Sequence, residues 1–157
     1  TNPASPQAQI LGVAEPEIGD KMAQVLARLG TQRAMVVHGR EGLDEISISG
    51  PTKVWDLSGG MVNSYTITPE SAGIQRASLD SIKGGSLERN LELFRSVLQG
   101  IVGPAQDVVL LNAAAAIVVA GKARDLSEGV SLAREAIISG GARNKLQALA
   151  ELSQGLS

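Results

Sequence analysis

Along the first forty residues, segments with the hydrophobic spacing of a helix alternate with short apolar runs. Apolar residues recur every three or four positions over 18–29, just after Pro16, and Gly30 is a natural stop, so we predict a helix there. Residues 34–37 are all apolar and two are β-branched, which predicts a short buried strand. Residues 9–13 predict another short strand. A helix followed at once by a strand is half of a βαβ unit.

The next segments alternate with a period of two, which is typical of half-buried strands. The alternation predicts strands over 46–49, 53–57 and 61–67. A serine and two glycines join the last two strands, and glycine suits a turn that needs positive φ, so we predict an antiparallel hairpin. We expect Trp55 to pack across the strands on Tyr65 rather than to bind a ligand.

The second half of the chain has mainly helical spacing. Ser86 is a good N-cap for an amphipathic helix, and a helix that begins at Pro104 is apolar nearly all round. We expect that second helix to be buried by neighbours on several sides. Asp125 and Glu128 have capping-box spacing for a third helix, and leucines on one face predict a last helix over 145–152.

These elements predict an α/β fold with helices packed around a mostly parallel sheet and an antiparallel hairpin. The 157 residues, 43% hydrophobic and 19% charged, suit one domain with a sizeable core. A net charge of −2 and only one each of Phe, Trp and Tyr argue against binding to nucleic acid or to an anionic membrane. The chain has no cysteine, which fits a reducing compartment, and we expect a cytoplasmic protein.

The best chemical candidates are two adjacent carboxylates, Asp44 and Glu45, in a loop after the strand at 34–37. Ligands of open α/β sheets bind beyond the carboxyl ends of the strands. Two carboxylates there could hold Mg²⁺, which typically binds one or two carboxylates together with substrate phosphates. On spacing alone, a solvated acidic turn is the commoner outcome. Adjacent side chains of an extended segment point to opposite faces, so both carboxylates meet a metal only if the backbone turns there or two ions lie on either side.

Other candidate groups give weaker signals. His38 is the single histidine and cannot build a usual zinc site here, so a structural role is favoured over acid–base work. Ser47 and Ser49 have no visible base partner. Gly84-Gly85-Ser86 precedes a helix and could present backbone N–H groups to a phosphate, but it lacks the spacing of a Walker or dinucleotide loop, so a plain N-cap is favoured.

Several motifs occur together in an order and spacing that resemble one known family. They are Asn2-Pro3-Ala4, Leu11-Gly12-Val13, Val36-Val37-His38-Gly39, Gly42-Leu43-Asp44-Glu45, Thr68-Pro69-Glu70, Gly84-Gly85, Gly103-Pro104 and Asn112-Ala113-Ala114-Ala115. Together they resemble the C-terminal α/β half of the anthranilate phosphoribosyltransferase family, of the nucleoside phosphorylase/phosphoribosyltransferase class (glycosyltransferase family 3). The resemblance covers essentially the whole chain, and Val-His-Gly-x-x-Gly-Leu-Asp-Glu is its most specific part.

The resemblance implies an enzyme of tryptophan biosynthesis, which joins anthranilate to phosphoribosyl pyrophosphate and releases pyrophosphate. It implies that Asp44 and Glu45 bind the Mg²⁺ that accompanies the pyrophosphate. As the C1–O bond breaks, negative charge grows on the leaving group, and a metal stabilises that charge. Nothing in this chain resembles a required general base, so we assign no catalytic residue, and the residues that contact anthranilate are not identified.

The family's Gly-Thr-Gly-Gly-Asp phosphate loop, its Lys-His-Gly-Asn-Arg segment and its anthranilate-contacting arginine are not found in this sequence. We therefore expect residues 1–157 to be one α/β catalytic-domain fragment with an incomplete sheet, lacking the N-terminal helical domain. We expect this fragment to be inactive and marginally stable alone, and the intact protein to be a homodimer through the helical domain. Two alternatives are a pyrimidine-nucleoside phosphorylase-like enzyme and a non-catalytic paralogue that keeps the scaffold for binding.

Overall fold

A computed structural model describes residues 4–155, so Asn2 and Pro3 of the first motif lie outside the described residues. Apart from the strand predicted over 46–49, its strands and helices follow the order predicted from the spacing, and short 3₁₀ turns occur at Pro16–Ile18, Pro69–Ala72 and Leu79–Ile82. The elements are β1 (Ala8–Gly12), α1 (Gly19–Arg28), β2 (Arg33–Gly39), β3 (Thr52–Ser58), β4 (Met61–Ile67), α2 (Leu87–Leu98), α3 (Pro104–Val119), α4 (Leu126–Ile138) and α5 (Gly141–Gly155).

The described strands form one mixed sheet in the order β1-β2-β3-β4. β1 pairs with β2 in parallel across the α1 crossover, whereas β2 with β3 and β3 with β4 pair antiparallel. The α/β class and the hairpin are therefore confirmed. The sheet is parallel only at β1 and β2 within the described residues, because residues 40–51, which join β2 to β3, contain no helix to form the crossover that usually connects parallel strands.

Helices cover both faces of the sheet, which explains the unbroken apolar run in β2. Ala34 and Val36 pack with α1 on one face, whereas Met35 and Val37 pack in the larger core that contains α3 and α4. Successive residues of a strand point to opposite faces, so a strand covered on both faces needs apolar residues at every position.

Trp55 packs against α1 and does not stack on Tyr65, so that expectation is wrong. In the β3–β4 register, Trp55 lies opposite Ser64 and Tyr65 lies opposite Val54, which places the two aromatic rings on opposite faces of the sheet. Trp55 is 7% exposed and lies over Gly19, the first residue of α1. A period-two pattern shows that alternate residues share a face, but the register decides which residues meet across the hairpin.

Residues 46–49 do not form the predicted strand. Ile46, Ser47 and Ile48 are all buried in an irregular, bent segment. Side chains satisfy its backbone: the Oγ1 atom of Thr52 accepts from the N–H of Ser47 at 3.0 Å, and the side chain of Asn112 binds Ile46. These side-chain bonds take the place of the backbone bonds that a neighbouring strand would make. An alternating pattern that contains only two apolar residues was therefore insufficient to predict a strand.

The helical half confirms the buried position of α3. Seven of its residues are buried, and Gly129 of α4 packs directly on Ala114 of α3, so the small side chains bring the two backbones close together. The apolar face of α2 is less covered, since Val97 is buried whereas Phe94 is 50% exposed.

No helix in the part of the chain that the structure describes is long and apolar enough to cross a membrane.

Candidate metal centre

The acidic pair follows a tight turn at the carboxyl end of β2. The N–H of Gly39 donates to the carbonyl oxygen of Leu43 at 2.8 Å, and the N–H of Gly42 donates to the carbonyl oxygen of Gly39 at 2.8 Å. Gly42 has a φ of 95°, which glycine adopts without steric cost. The Gly39–Leu43 bridge returns the chain to the strand end, so Asp44 and Glu45 begin directly beyond the parallel pair β1–β2.

Asp44 and Glu45 both line one cleft of about 210 Å³. The other lining residues are Ile10, Gly12, Val37 and Asn112. Both carboxylate residues are exposed, and the backbone bends at each of them. Two adjacent side chains of an extended strand would point to opposite faces. A turn of the backbone at Asp44 and Glu45 is therefore required if both are to meet one metal ion, and the bend satisfies that requirement.

Gly12 allows the acidic loop to cross the end of β1. A Cβ atom at Gly12 would lie 1.6 Å from the carbonyl oxygen of Asp44 and 2.5 Å from its carbonyl carbon, far inside van der Waals contact. Only a residue without a side chain fits there. Sequence reasoning used Gly12 as part of a family motif but did not identify this contact, because it joins two segments more than thirty residues apart.

Asn112 of α3 is the second positioning contact that sequence reasoning missed. Its Oδ1 atom accepts from the N–H of Ile46 at 2.9 Å, and its Nδ2 atom donates to the carbonyl oxygen of Ile46 at 2.9 Å. Ile46 directly follows Glu45. The available signal was an amide side chain within the otherwise apolar run 108–119 of α3, where a polar group usually has a defined partner.

His38 has the structural role favoured by the sequence. Its ring is 7% exposed, and its Nδ1 atom lies 2.9 Å from the carbonyl oxygen of Val13. A carbonyl only accepts, so Nδ1 carries the proton and donates. This bond holds the segment after β1 to β2 beside the cleft, together with the 3.0 Å bond from the N–H of Val13 to the carbonyl oxygen of Val37.

Glu41 and two serines stabilise the loop outside the lining of the cleft. The hydroxyl groups of Ser47 and Ser49 both donate to Oε1 of Glu41. Partial burial acts to raise the pKa of the Glu41 carboxyl, but the hydrogen bonds from the two serines outweigh it and the pKa lies below its ordinary value of 4.5. The two serines that lacked a base partner in the sequence thus contact a loop carboxylate, and this cluster is structural.

Gly84-Gly85-Ser86 forms a plain cap in the structure. The Oγ atom of Ser86 accepts from the N–H of Arg89 at 3.3 Å, and the N–H of Gly85 donates to Oδ1 of Asn90 at 3.0 Å. A backbone N–H that already has a partner is not free for a phosphate.

An apolar groove of about 400 Å³ lies between α2 and α3, and Glu45 borders this groove as well as the smaller cleft.

The donor set of the cleft suits Mg²⁺ better than a transition metal. It offers two carboxylates, which are hard oxygen donors, and no imidazole or thiolate. Among residues 4–155, no group of three or more His, Cys, Asp or Glu side chains comes together to hold a metal ion. Two exposed carboxylates are insufficient for an all-protein cage, but they fit a cation whose remaining ligands are water and substrate oxygens.

Residues 1–143 match the family described as "Glycosyl transferase family, a/b domain", and the chain belongs to that family. Anthranilate phosphoribosyltransferase of Nitrosomonas europaea is 49% identical over 157 residues, which are 100% of this chain and 46% of the relative. The enzyme of the same name from Symbiobacterium thermophilum is 48% identical over 156 residues, covering 99% of this chain and 46% of the relative. The chain therefore spans about half the length of the curated relatives that it matches.

Solved structures of anthranilate phosphoribosyltransferases share the fold of this chain. A crystal structure of anthranilate phosphoribosyltransferase from Thermus thermophilus has a TM-score of 0.85 and 44% identity, covering 94% of this chain and 44% of that chain. The Saccharomyces cerevisiae enzyme in complex with PRPP and Mg has a TM-score of 0.80 and 26% identity, covering 89% of this chain and 41% of that chain. The family and the α/β fold predicted from the motifs are thus confirmed.

Proposed function

We propose that the complete protein transfers the phosphoribosyl group of phosphoribosyl pyrophosphate to anthranilate and releases pyrophosphate. The observation that carries the proposal is the cleft at the end of β1 and β2, which the adjacent residues Asp44 and Glu45 both line. It is supported by relatives that bear the name of this enzyme and by a yeast structure with PRPP and Mg bound.

Asp44 and Glu45 would hold Mg²⁺ in this proposal, and the cation would stabilise negative charge on the departing pyrophosphate. The turn at Gly42 presents the two carboxylates at the sheet end, and Gly12 lets the loop lie against β1. Among the side chains that line the cleft, only the two carboxylates already assigned to the cation could accept a proton, and His38, which is 7% exposed, is not part of that lining. This chain thus supplies electrostatic stabilisation rather than a general base.

The proposal also covers the organisation of the complete protein. Residues 1–157 form one catalytic-domain fragment, and a phosphate-binding loop and a helical domain elsewhere complete the substrate site. The complete protein is a cytoplasmic homodimer that assembles through the helical domain. The chain alone is inactive, because two carboxylates and an open cleft leave the sugar and the anthranilate without binding groups.

The test uses the double variant Asp44→Asn/Glu45→Gln in the complete protein. Removing both charges leaves only neutral amide oxygens at these two positions, so we expect the Mg²⁺-dependent rate to fall about hundredfold or more. Binding of Mn²⁺ in the presence of pyrophosphate, followed by the electron paramagnetic resonance of the free ion, should weaken in parallel. The variant Glu15→Gln/Glu17→Gln is the control, since it removes two exposed charges outside the cleft.

An unchanged magnesium dependence in the double variant would remove the proposed metal site. Product analysis separates the alternatives. Formation of N-phosphoribosyl anthranilate supports the proposal, whereas turnover of a pyrimidine nucleoside with phosphate supports a phosphorylase. Binding of phosphoribosyl pyrophosphate without any product would indicate a non-catalytic paralogue.

A further inference from the structure

We propose that Asn112 is a positioning residue that holds the Asp44–Glu45 pair in place for the cation without binding the cation itself. The proposal rests on the metal role given above to these carboxylates. Asn112 lies in the middle of α3, while the acidic pair lies in the loop after β2. The contact between them joins Asn112 to Ile46, 66 residues apart in the chain.

The amide of Asn112 binds the backbone of Ile46 in both directions. Its Oδ1 atom accepts from the N–H of Ile46, and its Nδ2 atom donates to the carbonyl oxygen of Ile46, each at 2.9 Å. The Nδ2 atom also donates to the carbonyl oxygen of Val108, one turn earlier in α3, at 3.0 Å. Both amide hydrogens are therefore used, and the opposite amide orientation would lose both bonds to Ile46.

The acidic pair lies between two anchors. Leu43, just before it, is bound to Gly39 at the end of β2, and Ile46, just after it, is bound to Asn112. Ile46 is 1% exposed and belongs to the main core, so this second anchor is rigid. The intervening segment belongs to no strand, and no ladder of backbone bonds holds it.

Asn112 also lines the cleft that contains the two carboxylates. It therefore connects three parts of the site: the loop, the wall of the cleft and the most buried helix. Residues that orient metal ligands without contacting the metal commonly support its binding, and their removal typically lowers the affinity for the metal 10- to 100-fold. An amide that only filled space in the core would affect stability and leave the affinity for metal unchanged.

The experiment compares two amide side chains of α3 in the complete protein, the half-buried Asn112 and the buried Gln106. Asn112→Leu removes both bonds to Ile46 at similar side-chain volume. Gln106→Leu is the matched control, because Gln106 is 2% exposed, accepts from Nη1 of Arg134 at 3.2 Å and does not line the cleft. Thermal unfolding measures how far each change destabilises the protein.

We expect Asn112→Leu to raise the Mg²⁺ concentration at half-maximal rate about tenfold or more, with part of the rate regained at saturating Mg²⁺. We expect it to weaken binding of Mn²⁺ with pyrophosphate to a similar extent, as followed by electron paramagnetic resonance of the free ion. Gln106→Leu should change neither quantity, even with an equal loss of thermal stability. If Asn112→Leu does not fold, Asn112→Gln, which displaces the amide by one methylene, carries the same test.

Two results would overturn the positioning role: metal binding unaltered in the Asn112 variant, or altered equally in both α3 variants. A failure of the metal site itself gives a different result, because Asp44→Asn/Glu45→Gln would then leave Mn²⁺ binding unchanged. If that double variant abolishes binding and Asn112→Leu does not alter it, only the positioning role is wrong.

Discussion

Gly12 and Asp44 lie so close that no side chain fits between them, since a Cβ atom at Gly12 would lie 1.6 Å from the carbonyl oxygen of Asp44. The atom in the way belongs to the main chain and cannot rotate aside. The parallel edge of the sheet and the acidic loop are therefore fitted to each other at a single glycine, and the position of the candidate metal site depends on it.

We expect Gly12→Ala to lower the free energy of unfolding by about 2 kcal/mol or more, because the added methyl group must displace the backbone of the loop. In the complete protein it should also raise the Mg²⁺ concentration needed for half-maximal rate. Urea denaturation and a magnesium titration measure the two effects. Gly85→Ala is the control: the new Cβ meets only Arg89 side-chain atoms at 3.9 Å or more, so its effect should be within about 0.5 kcal/mol.

A second prediction concerns the contact between Gly19 and Trp55. A Cβ atom at Gly19 would lie 2.3 Å from the indole ring, so Gly19→Ala should destabilise the protein by about 1–3 kcal/mol despite the better helix propensity of alanine. Trp55 is the single tryptophan, and its displacement should shift the fluorescence maximum to longer wavelength. Gly141→Ala, at the first position of α5 and with its closest contact at 3.4 Å, should cause neither change.

A third prediction concerns the ionisation of Tyr65, the single tyrosine. Partial burial, the nearby negative charge of Asp56 and a 3.2 Å hydrogen bond to Oδ2 of Asp56 raise the pKa of the phenol to about 12. Absorbance at the phenolate band should report this pKa directly, and Asp56→Asn should lower it toward 10. A wild-type phenol that titrates at its ordinary pKa would contradict the contact between Tyr65 and Asp56.

The same pKa shift has a consequence for stability. A folded-state pKa raised from 10 to about 12 contributes stability that is fully present below pH 10 and is lost as the pH rises toward 12, because the unfolded chain releases the proton first. The free energy of unfolding should therefore fall over this range, and it should fall less steeply in Tyr65→Phe. Denaturant titrations at several pH values give the comparison.

A fourth prediction concerns Glu41, which accepts hydrogen bonds from Ser47 and Ser49. Its pKa lies below the ordinary 4.5, so its contribution is present above pH 4.5 and is lost as the pH falls through the folded-state pKa. We expect Glu41→Gln to cost less than about 1 kcal/mol at pH 7, since much of the carboxylate is solvated. The cost should shrink below pH 4.5. A loss that is the same at pH 3 and pH 7 would show that the charge is not responsible.

The sequence was sufficient for the existence of the helices, the strands of the hairpin and the α1–β2 unit, because each depends on local spacing, caps and glycines. The extent of the last helix was wrong, since α5 spans Gly141–Gly155 whereas the spacing predicted 145–152. The sequence was insufficient for 46–49, where two buried isoleucines alternate with serines as in a strand. There, Thr52 and Asn112 satisfy the backbone instead of a neighbouring strand. It also could not place Trp55, because the register of β3 and β4 depends on pairing between two segments.

By itself, the sequence determined that a buried strand ends in a glycine turn with two carboxylates, and its motifs identified the family. Only the tertiary structure decided that Asp44 and Glu45 line one cleft, since that depends on a bend in the backbone. It also showed that Gly12 and Asn112 hold the loop in place. The reason is physical: spacing along a chain encodes local geometry, whereas contacts over tens of residues exist only after the sheet and α3 have packed together.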